Sequence, residues 1–390
     1  MPDLRTRSRS GKQPTLAAID IGTSRVCCLI AAIEPASEDG APTAPRLLGL
    51  GLQRSRGVRA GTVVDLDAAE RSVAAAIVQA EEMAGVSVEE VVVAMSGGAL
   101  ASLNFTASAG VAAAGIARAD IERVLNAGRE FIERDGQRAL LHMHRLGYVL
   151  DGARSPDAPL GMAGHRLGIE VNAVTADAGA VQSLGILLAR SYLPVAATVA
   201  APYAAALATL SAEEAELGAC VIDMGAGITS CALFSEGRFV HAFSVPIGGM
   251  RVTQSIARAL SAPFNQAERI KTLYGTLEPV LPDEHRDVEF QGLGEGGEFD
   301  GRVTRGRLRQ IMVPEAEELL LRVLEGVERA GCGGMQGRAS SHHVVDEYDA
   351  RRQCSRRIDF ECIAQIPLAL IRVQPRLRGG GARAEQQIVP

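Results

Sequence analysis

The sequence predicts an α/β protein of two similar lobes with a small α+β subdomain inserted in the first. Three observations carry this reading. An apolar strand ending in aspartate, a glycine-containing turn and a second apolar strand occur together over residues 16–30, and the same unit returns over 219–234. An alanine-rich stretch opened by proline, Thr198 to Leu207, lies just before the second copy. Between the copies, over 90–173, the pattern changes to small β-like segments around one amphipathic helix.

Taken in order, Leu16-Ala17-Ala18-Ile19-Asp20-Ile21 reads as a buried strand, Gly22-Thr23-Ser24 as a tight polar turn and Arg25 to Ile30 as the returning strand. A third strand is predicted near Arg46 to Gln53. Asp67 to Ala84 has helical spacing, with Val73, Ile77, Val78 and Met83 among Ala and Glu. Val91 to Met95 is a buried-strand run, Ser96 to Val111 is small and β-like, and Asp120 to Arg134 is helical with Ile121, Val124, Leu125, Phe131 and Ile132 to one side. Tyr148 to Val174 reads as strands around a Pro/Gly loop. Ala219 to Met224, Gly225-Ala226-Gly227 and Ile228 to Phe234 repeat the opening unit; Phe239 to Val245 follows as a strand, and Gly248-Gly249 opens a helix over Val252 to Leu260. Copies this far apart point to two alike lobes rather than a solenoid. The expected division is 1–14 a disordered basic tail, 15–89 the first lobe, 90–173 the insertion, 174–215 the rest of the first lobe, 216–330 the second lobe and 331–390 an atypical tail.

Composition narrows the function classes. With 390 residues, 47% hydrophobic and 22% charged, the chain is long enough for more than one core and is globular in type. A formal net charge of −6 gives no reason to expect a nucleic-acid partner. The polar, Arg-rich start has no apolar run behind it, so no secretory signal is read. Leu193 to Leu210, the most apolar stretch, is interrupted by Pro194 and Pro202 and is read as a buried strand and a helix rather than a membrane span. The seven cysteines, among them Cys27, Cys28, Cys220 and Cys231, show no metal-ligand spacing and are expected to be small buried hydrophobes in a reducing compartment.

The doubled unit has a chemical meaning. Backbone N–H groups of a tight glycine turn form an anion-binding concavity, and small residues let the backbone approach a phosphate closely. A hydroxyl beside the glycine adds a donor. Aspartate at a strand end supplies hard oxygen to Mg²⁺, directly or through its waters. One such unit is an ordinary turn. Two, facing each other across a cleft, suit a nucleoside triphosphate. No Gly-x-Gly-x-x-Gly joins a strand to a helix near either site and no Walker-type loop is present, which disfavours dinucleotide and P-loop binding.

Asp20-Ile21-Gly22-Thr23-Ser24 resembles the first phosphate motif of the actin-like (ribonuclease H-like) ATPases, Asp223-Met224-Gly225-Ala226-Gly227-Ile228-Thr229 the second, and Pro202-Tyr203-Ala204-Ala205-Ala206 the connecting helix. Longer stretches resemble the FtsA family of bacterial cell-division proteins: Ala208 to Gly218, Ile247-Gly248-Gly249 through Ala257, Ala262-Pro263-Phe264 to Lys271, and Leu160 to Leu167 within the insertion. The resemblance covers Leu16 to Ala330. It implies an ATP- and Mg²⁺-binding protein that polymerises, binds the C-terminal peptide of the tubulin-like protein FtsZ, contacts later division proteins through 90–173 and lies on the cytoplasmic face of the inner membrane at the division site. By residue, Asp20, Gly22, Thr23 and Ser24 would line the phosphates on one side and Asp223, Gly225, Gly227 and Thr229 on the other. Gly248 and Gly249 would belong to the same site, and Asp20 and Asp223 would serve the metal. Glu268 and Lys271 match the family's nucleoside-contacting helix, although an exposed i,i+3 ion pair explains that pair equally.

Two departures and one discontinuity qualify the resemblance. Thr198 to Ala206 carries no Glu or Gln to position an attacking water, so at most a weak ATPase is expected. Ala226 stands at the middle of the second turn, where a positive φ would cost an alanine about 1 kcal/mol. From Gly331 neither the helical nor the strand period continues, and the family's adenine-cradling Gly-Gly loop and terminal amphipathic helix are not recognisable. The reading is a shifted reading frame: Ile371 to Glu385 read one nucleotide later permits Phe-Ala-Phe-Ser-Pro-Gly-Phe-Ala-Ala-Ala-Gly-Leu-Ala-Leu-Ser, which resembles the end of the family's last helix. An uninterrupted genomic frame through Gly331 would refute it and leave a divergent tail whose Arg clusters bind a partner or lipid. The rival functions are a PilM-like scaffold of a pilus or secretion machine and a small-molecule kinase; the latter needs a base for the acceptor hydroxyl, and none is singled out.

Overall fold

A computed structural model describes residues 14–33, 45–111, 115–134, 136–155, 157–278, 284–292 and 301–331. The expected basic tail, apart from Pro14, and the reading of the 331–390 tail, apart from Gly331, lie outside the described residues.

The chain opens with β1 (Thr15–Ile21), β2 (Arg25–Ala32) and β3 (Arg46–Arg54), then a short hairpin of β4 (Val58–Arg59) and β5 (Thr62–Val63). Helix α1 (Leu66–Ala84) follows, capped at its start by the Asp65 side chain and stopped by Gly85 in the left-handed region. Next come β6 (Val91–Met95), β7 (Ala101–Gly110), α2 (Arg118–Glu133), β8 (Arg138–Leu150), β9 (Ala153–Ser155) and β10 (Arg166–Asp177). Helix α3 (Ala178–Arg190), β11 (Val195–Ala200), α4 (Ala201–Thr209) and α5 (Ala212–Leu217) lead to the second lobe: β12 (Ala219–Met224), β13 (Thr229–Ser235), β14 (Arg238–Val245), α6 (Gly249–Leu260), α7 (Phe264–Tyr274), β15 (Asp287–Phe290), β16 (Gly301–Thr304) and α8 (Arg305–Arg329).

The first lobe is a mixed sheet in the order β11-β6-β1-β2-β3, with β1 antiparallel to β2 and parallel to β6. Helix α1 lies on it through a stripe of Ala69, Ser72, Val73, Ala76, Ile77 and Ala80. It approaches β3 closely because Gly49 and Gly51 present no side chain there; a Cβ on Gly51 would occupy the space of the Ala76 carbonyl. The expected insertion, 90–173, takes in one strand that belongs to this sheet. Val91–Met95 pairs with β1 and β11 inside this sheet, where Val91, Val93 and Met95 are buried, so the added strands start at β7.

The second sheet runs β12-β13-β14-β7-β10-β8-β9. Strand β14 meets β7 at one pairing, Phe243 with Ala101, so the inserted strands extend the second lobe's sheet at a narrow joint. They also have a core of their own, with Ile116, Ile121, Val124, Tyr148, Leu167, Ile169 and Val171 between α2 and the strands. A separate core under α6, α7 and α8 includes Val252, Ile256, Ile270, Leu308, Met312 and Leu319. The first lobe's core takes in Ala232, Phe234, Phe239 and Ala242 from β13 and β14, so the two lobes pack directly on one another.

The opening hairpins are built alike. Asp20 pairs with Cys27 across β1–β2, and Asp223 pairs with Ser230 across β12–β13. Their outer neighbours differ. Beside β1 lies β6, and Ile19 is 1% exposed; β12 is the sheet edge among the described residues, and the matching Ile222 is 40% exposed. The same edge corrects the expectation that the cysteines are uniformly buried: Cys28 and Cys231 are, whereas Cys220 on β12 is exposed.

Candidate functional site

Each strand pair ends in a turn closed by the same bond. Gly22 donates its N–H to the Arg25 carbonyl at 2.9 Å, and Gly225 donates to the Ile228 carbonyl at 2.8 Å. Glycine serves space rather than φ: a Cβ would be crowded at 3.1 Å from the Arg25 oxygen at the first turn and would clash at 2.9 Å from the Ile228 oxygen at the second. None of Gly22, Gly225, Ala226 or Gly227 is among the positive-φ residues. The strain expected at Ala226 is therefore absent, because the turn is built from ordinary backbone angles.

The turns touch. A Cβ on Gly227 would stand 2.6 Å from Thr23 Oγ1, so the backbone of the second turn lies flat against the Thr23 side chain of the first. Asp20 sits just inside its turn, its Oδ2 3.8 Å from where a Gly22 Cβ would be. Asp223 Oδ2 accepts from the Ser230 hydroxyl at 3.2 Å. Ser24 lends its carbonyl to the Ser55 N–H at 2.9 Å, tying the first turn to the end of β3.

The start of α6 is stacked on the second turn. Gly249 donates to the Gly225 carbonyl at 3.0 Å and Met250 to the Ala226 carbonyl at 2.8 Å. Gly248, the residue before the helix, must lack a side chain, since a Cβ would fall within 2.6 Å of Ala226. Thr229 is fully buried and donates its hydroxyl to the Ile247 carbonyl at 2.8 Å. That bond braces the loop ahead of Gly248.

Glu268 and Lys271 on α7 are joined to this group from below. Lys271 is 1% exposed; its Nζ donates to Thr253 Oγ1 at 2.9 Å and to the Gly249 carbonyl at 3.4 Å, and pairs with Glu268 Oε2 at 2.9 Å. Burial pulls the Lys271 pKa down, and the neighbouring carboxylate partly restores it. The alternative of an exposed i,i+3 pair is therefore excluded: the pair is spaced i,i+3 but sits under the α6 N-terminus. Thr253 also donates to Glu268 Oε2, whereas Glu268 Oε1 is buried with no hydrogen-bond partner among the described residues.

This donor set fits a magnesium nucleotide. Among the described residues no group of three or more His, Cys, Asp or Glu could enclose a metal by itself. Magnesium asks for less, commonly one or two carboxylates completed by water and phosphate oxygens, and the two facing turns carry one aspartate each. The unused Glu268 Oε1 is an acceptor suited to a hydroxyl donor such as a ribose.

Sequence reasoning overlooked the parts that join these pieces. Thr253 is an unremarkable hydroxyl inside α6 that becomes the bridge between Lys271 and Glu268. Gly61, at the tip of the β4–β5 hairpin, donates to Thr23 Oγ1 at 3.4 Å. Its sequence signal was a single glycine between Ala60 and Thr62.

The inserted strands reach the connection between the lobes. His142 on β8 accepts the Ala200 N–H through Nε2 at 2.9 Å, where β11 ends and α4 begins. His142, His144 and Phe239 all lie against Tyr203 of α4, with ring centroids 5.1, 4.9 and 4.9 Å from it.

Comparison with known proteins gives a consistent family. Residues 220–358 match the model of "Cell division protein FtsA", and residues 97–175 match that of the SHS2 domain inserted in FtsA. The chain is 35% identical over 335 residues to the cell division protein FtsA of Rhizobium meliloti, covering 84% of this chain and 75% of that one. It is 34% identical over 343 residues to that of Agrobacterium fabrum (87% and 77%) and 32% over 323 residues to that of Pseudomonas aeruginosa (83% and 75%). Among solved structures, the fold is similar to a chain of the PilM–PilN type IV pilus biogenesis complex, with TM-score 0.55 and 18% identity over 80% of this chain and 76% of that chain.

Proposed function

The chain belongs to the FtsA family of cell-division proteins, and from that premise we propose that it is an ATP-binding adaptor that tethers FtsZ filaments to the cytoplasmic face of the membrane at the division site. The observation that carries the nucleotide part is the contact of the two turns, Gly227 against Thr23, each at the end of a strand bearing an aspartate. Backbone N–H groups of the turns and the Thr23 and Ser24 hydroxyls would receive the phosphates. Asp20 and Asp223 would hold Mg²⁺ through its waters, and the ion would supply neutralisation of the phosphate charge. Glu268 Oε1 would take a ribose hydroxyl, with Lys271 holding that carboxylate and the first turn of α6 in place.

The absence of Glu and Gln from Thr198 to Ala206 supports a nucleotide that acts mainly as a conformational ligand rather than as a rapidly turned-over substrate. Family membership supports self-assembly, the FtsZ C-terminal peptide as a partner, later division proteins as partners of the inserted region, and attachment to the inner-membrane surface. No helix of the described residues is long and apolar enough to cross a membrane. The pilus-scaffold alternative rests on likeness of fold alone.

Two measurements test the proposal. Magnesium-dependent binding of a fluorescent ATP analogue is expected in the parent chain and is expected to be lost in Asp20→Asn and Asp223→Asn; binding that survives both changes would refute the site. Co-sedimentation with an FtsZ C-terminal peptide is expected, and its absence in a chain that binds nucleotide would refute the adaptor role.

A further inference from the structure

Cys220 and Cys231 meet across the edge of the second lobe's sheet, and neither thiol has a part in the site above. Strands β12 and β13 run antiparallel, with Cys220 opposite Leu233 and Ile222 opposite Cys231. Residues opposite one another share a face of the sheet, as do residues two apart along a strand. The two cysteines are therefore diagonal neighbours on one face. Their side chains touch: the Cys231 thiol donates a hydrogen bond to the Cys220 sulfur. Their settings differ, since Cys231 is buried and Cys220 is exposed.

That difference divides the roles of a redox pair. An oxidant can reach the exposed sulfur, and the bond from Cys231 lowers the Cys220 pKa, which favours the reactive thiolate. The buried partner stands beside it, placed to resolve what forms there. Diagonal neighbours on an antiparallel pair stand about 7–8 Å apart at Cα. A disulfide spans up to about 6.8 Å, so closing one draws the start of β12 toward β13. That end can yield: β12 is the sheet edge among the described residues, Gly218 before it has a positive φ, and no residue of α5 ahead of it is buried. Cys28 is the contrast, for burial, and secondarily the charge of Glu81, pushes its thiol up to about 12.

We propose that Cys220 and Cys231 are a peroxide-reactive dithiol that closes to a reversible disulfide across β12 and β13. The Cys220 thiolate attacks one oxygen of hydrogen peroxide. The O–O bond breaks, water leaves, and Cys220 carries a sulfenic acid. The Cys231 sulfur then attacks the Cys220 sulfur; the S–O bond breaks and a second water leaves with the Cys231 proton. The two thiols have supplied two electrons and the peroxide has been reduced to two waters. A thiol reductant reopens the bond by exchange.

Peptide mapping of the full chain tests this. The chain is treated with a modest excess of hydrogen peroxide, unfolded, alkylated with iodoacetamide and cut with trypsin. Cleavage after Arg190 and Arg238 leaves both cysteines, and no other, in the peptide 191–238, while Cys27 and Cys28 fall in 26–46. The 191–238 peptide is expected to carry no alkyl group, to weigh two hydrogens less than the dithiol and to regain both thiols with dithiothreitol, while 26–46 stays alkylated. In Cys231→Ala, Cys220 is expected to be trapped as its sulfenic acid by dimedone; in Cys220→Ala, Cys231 is expected to give no adduct. A 191–238 peptide alkylated at both cysteines overturns the proposal. So does a Cys220 sulfinic acid beside an alkylated Cys231, a disulfide joining two chains, or equal oxidation of 26–46. A dimedone adduct on Cys231 in Cys220→Ala overturns the assignment of Cys220 as the attacking sulfur.

Discussion

Acidification should loosen the seam between the inserted strands and the connection of the lobes, and His142 sets how much. His142 and His144 alternate on β8 and face the same side, against Tyr203 and Phe239. His142 Nε2 accepts the Ala200 N–H, which only a neutral ring can do. Burial, and secondarily the charge His144 would carry, pushes the His142 pKa from 6.5 down to about 4. The folded value lies below the unfolded one, so the unfolded chain takes up the proton first as pH falls. The stability is complete above the unfolded pKa of 6.5 and is lost toward pH 4. Between pH 7 and pH 5 the loss is about 2 kcal/mol for this one group. Burial lowers the pKa of His144 and His241 as well, which adds to the loss with the same sign. Urea denaturation at the two pH values, on the parent and on His142→Gln, isolates the share of His142, since glutamine can still accept from Ala200 but does not titrate. The variant is expected to lose about 2 kcal/mol less than the parent between pH 7 and pH 5. Equal losses in the two proteins would refute the reasoning.

Lys271→Met should cost about 2 kcal/mol in the same denaturation assay, at the low side for a broken buried pair because the Glu268 side chain is 26% exposed; an unchanged midpoint would mean that the Lys271 bonds are not formed. Gly51→Ala drives a methyl into the Ala76 carbonyl and should cost more than about 2 kcal/mol. Gly85→Ala, left-handed but with nothing within 4 Å, should cost only about 1 kcal/mol. Gly227→Val would set a branched side chain against Thr23 and is expected to abolish nucleotide binding in the fluorescence assay, with the far-ultraviolet circular dichroism retained.

Local chemistry was enough to read most of the elements. The strand over Val91–Met95 has apolar residues throughout because both faces and both edges are covered, so its limits could be read directly. Helix α1 was legible from its spacing, although of the four apolar residues that marked it Val73 and Ile77 are buried while Val78 and Met83 are exposed, and the caps Asp65 and Gly85 were not read. The two turns were legible because each favours glycine beside a carbonyl, a preference that depends on only a few neighbouring residues. What could not be read is what depends on residues far apart in sequence. Glu268 and Lys271 read equally well as a surface pair, since only the packing of α6 over α7 buries them. Thr229 reads as a phosphate donor, and only the structure shows its hydroxyl donated to the Ile247 carbonyl. His142 gave no signal at all, because its partner is a backbone N–H beyond the whole inserted subdomain.

By itself the sequence determined the two strand–turn–strand units, the residues in them and the chemistry they favour, because strand period, turn sterics and aspartate placement are settled within about ten residues. The tertiary structure alone decided that the units meet, Thr23 against Gly227, and that a third element, the Ala60–Gly61 tip, stands between the lobes. A turn's conformation is fixed by its own atoms, whereas the distance between two turns is fixed by every layer of packing between them.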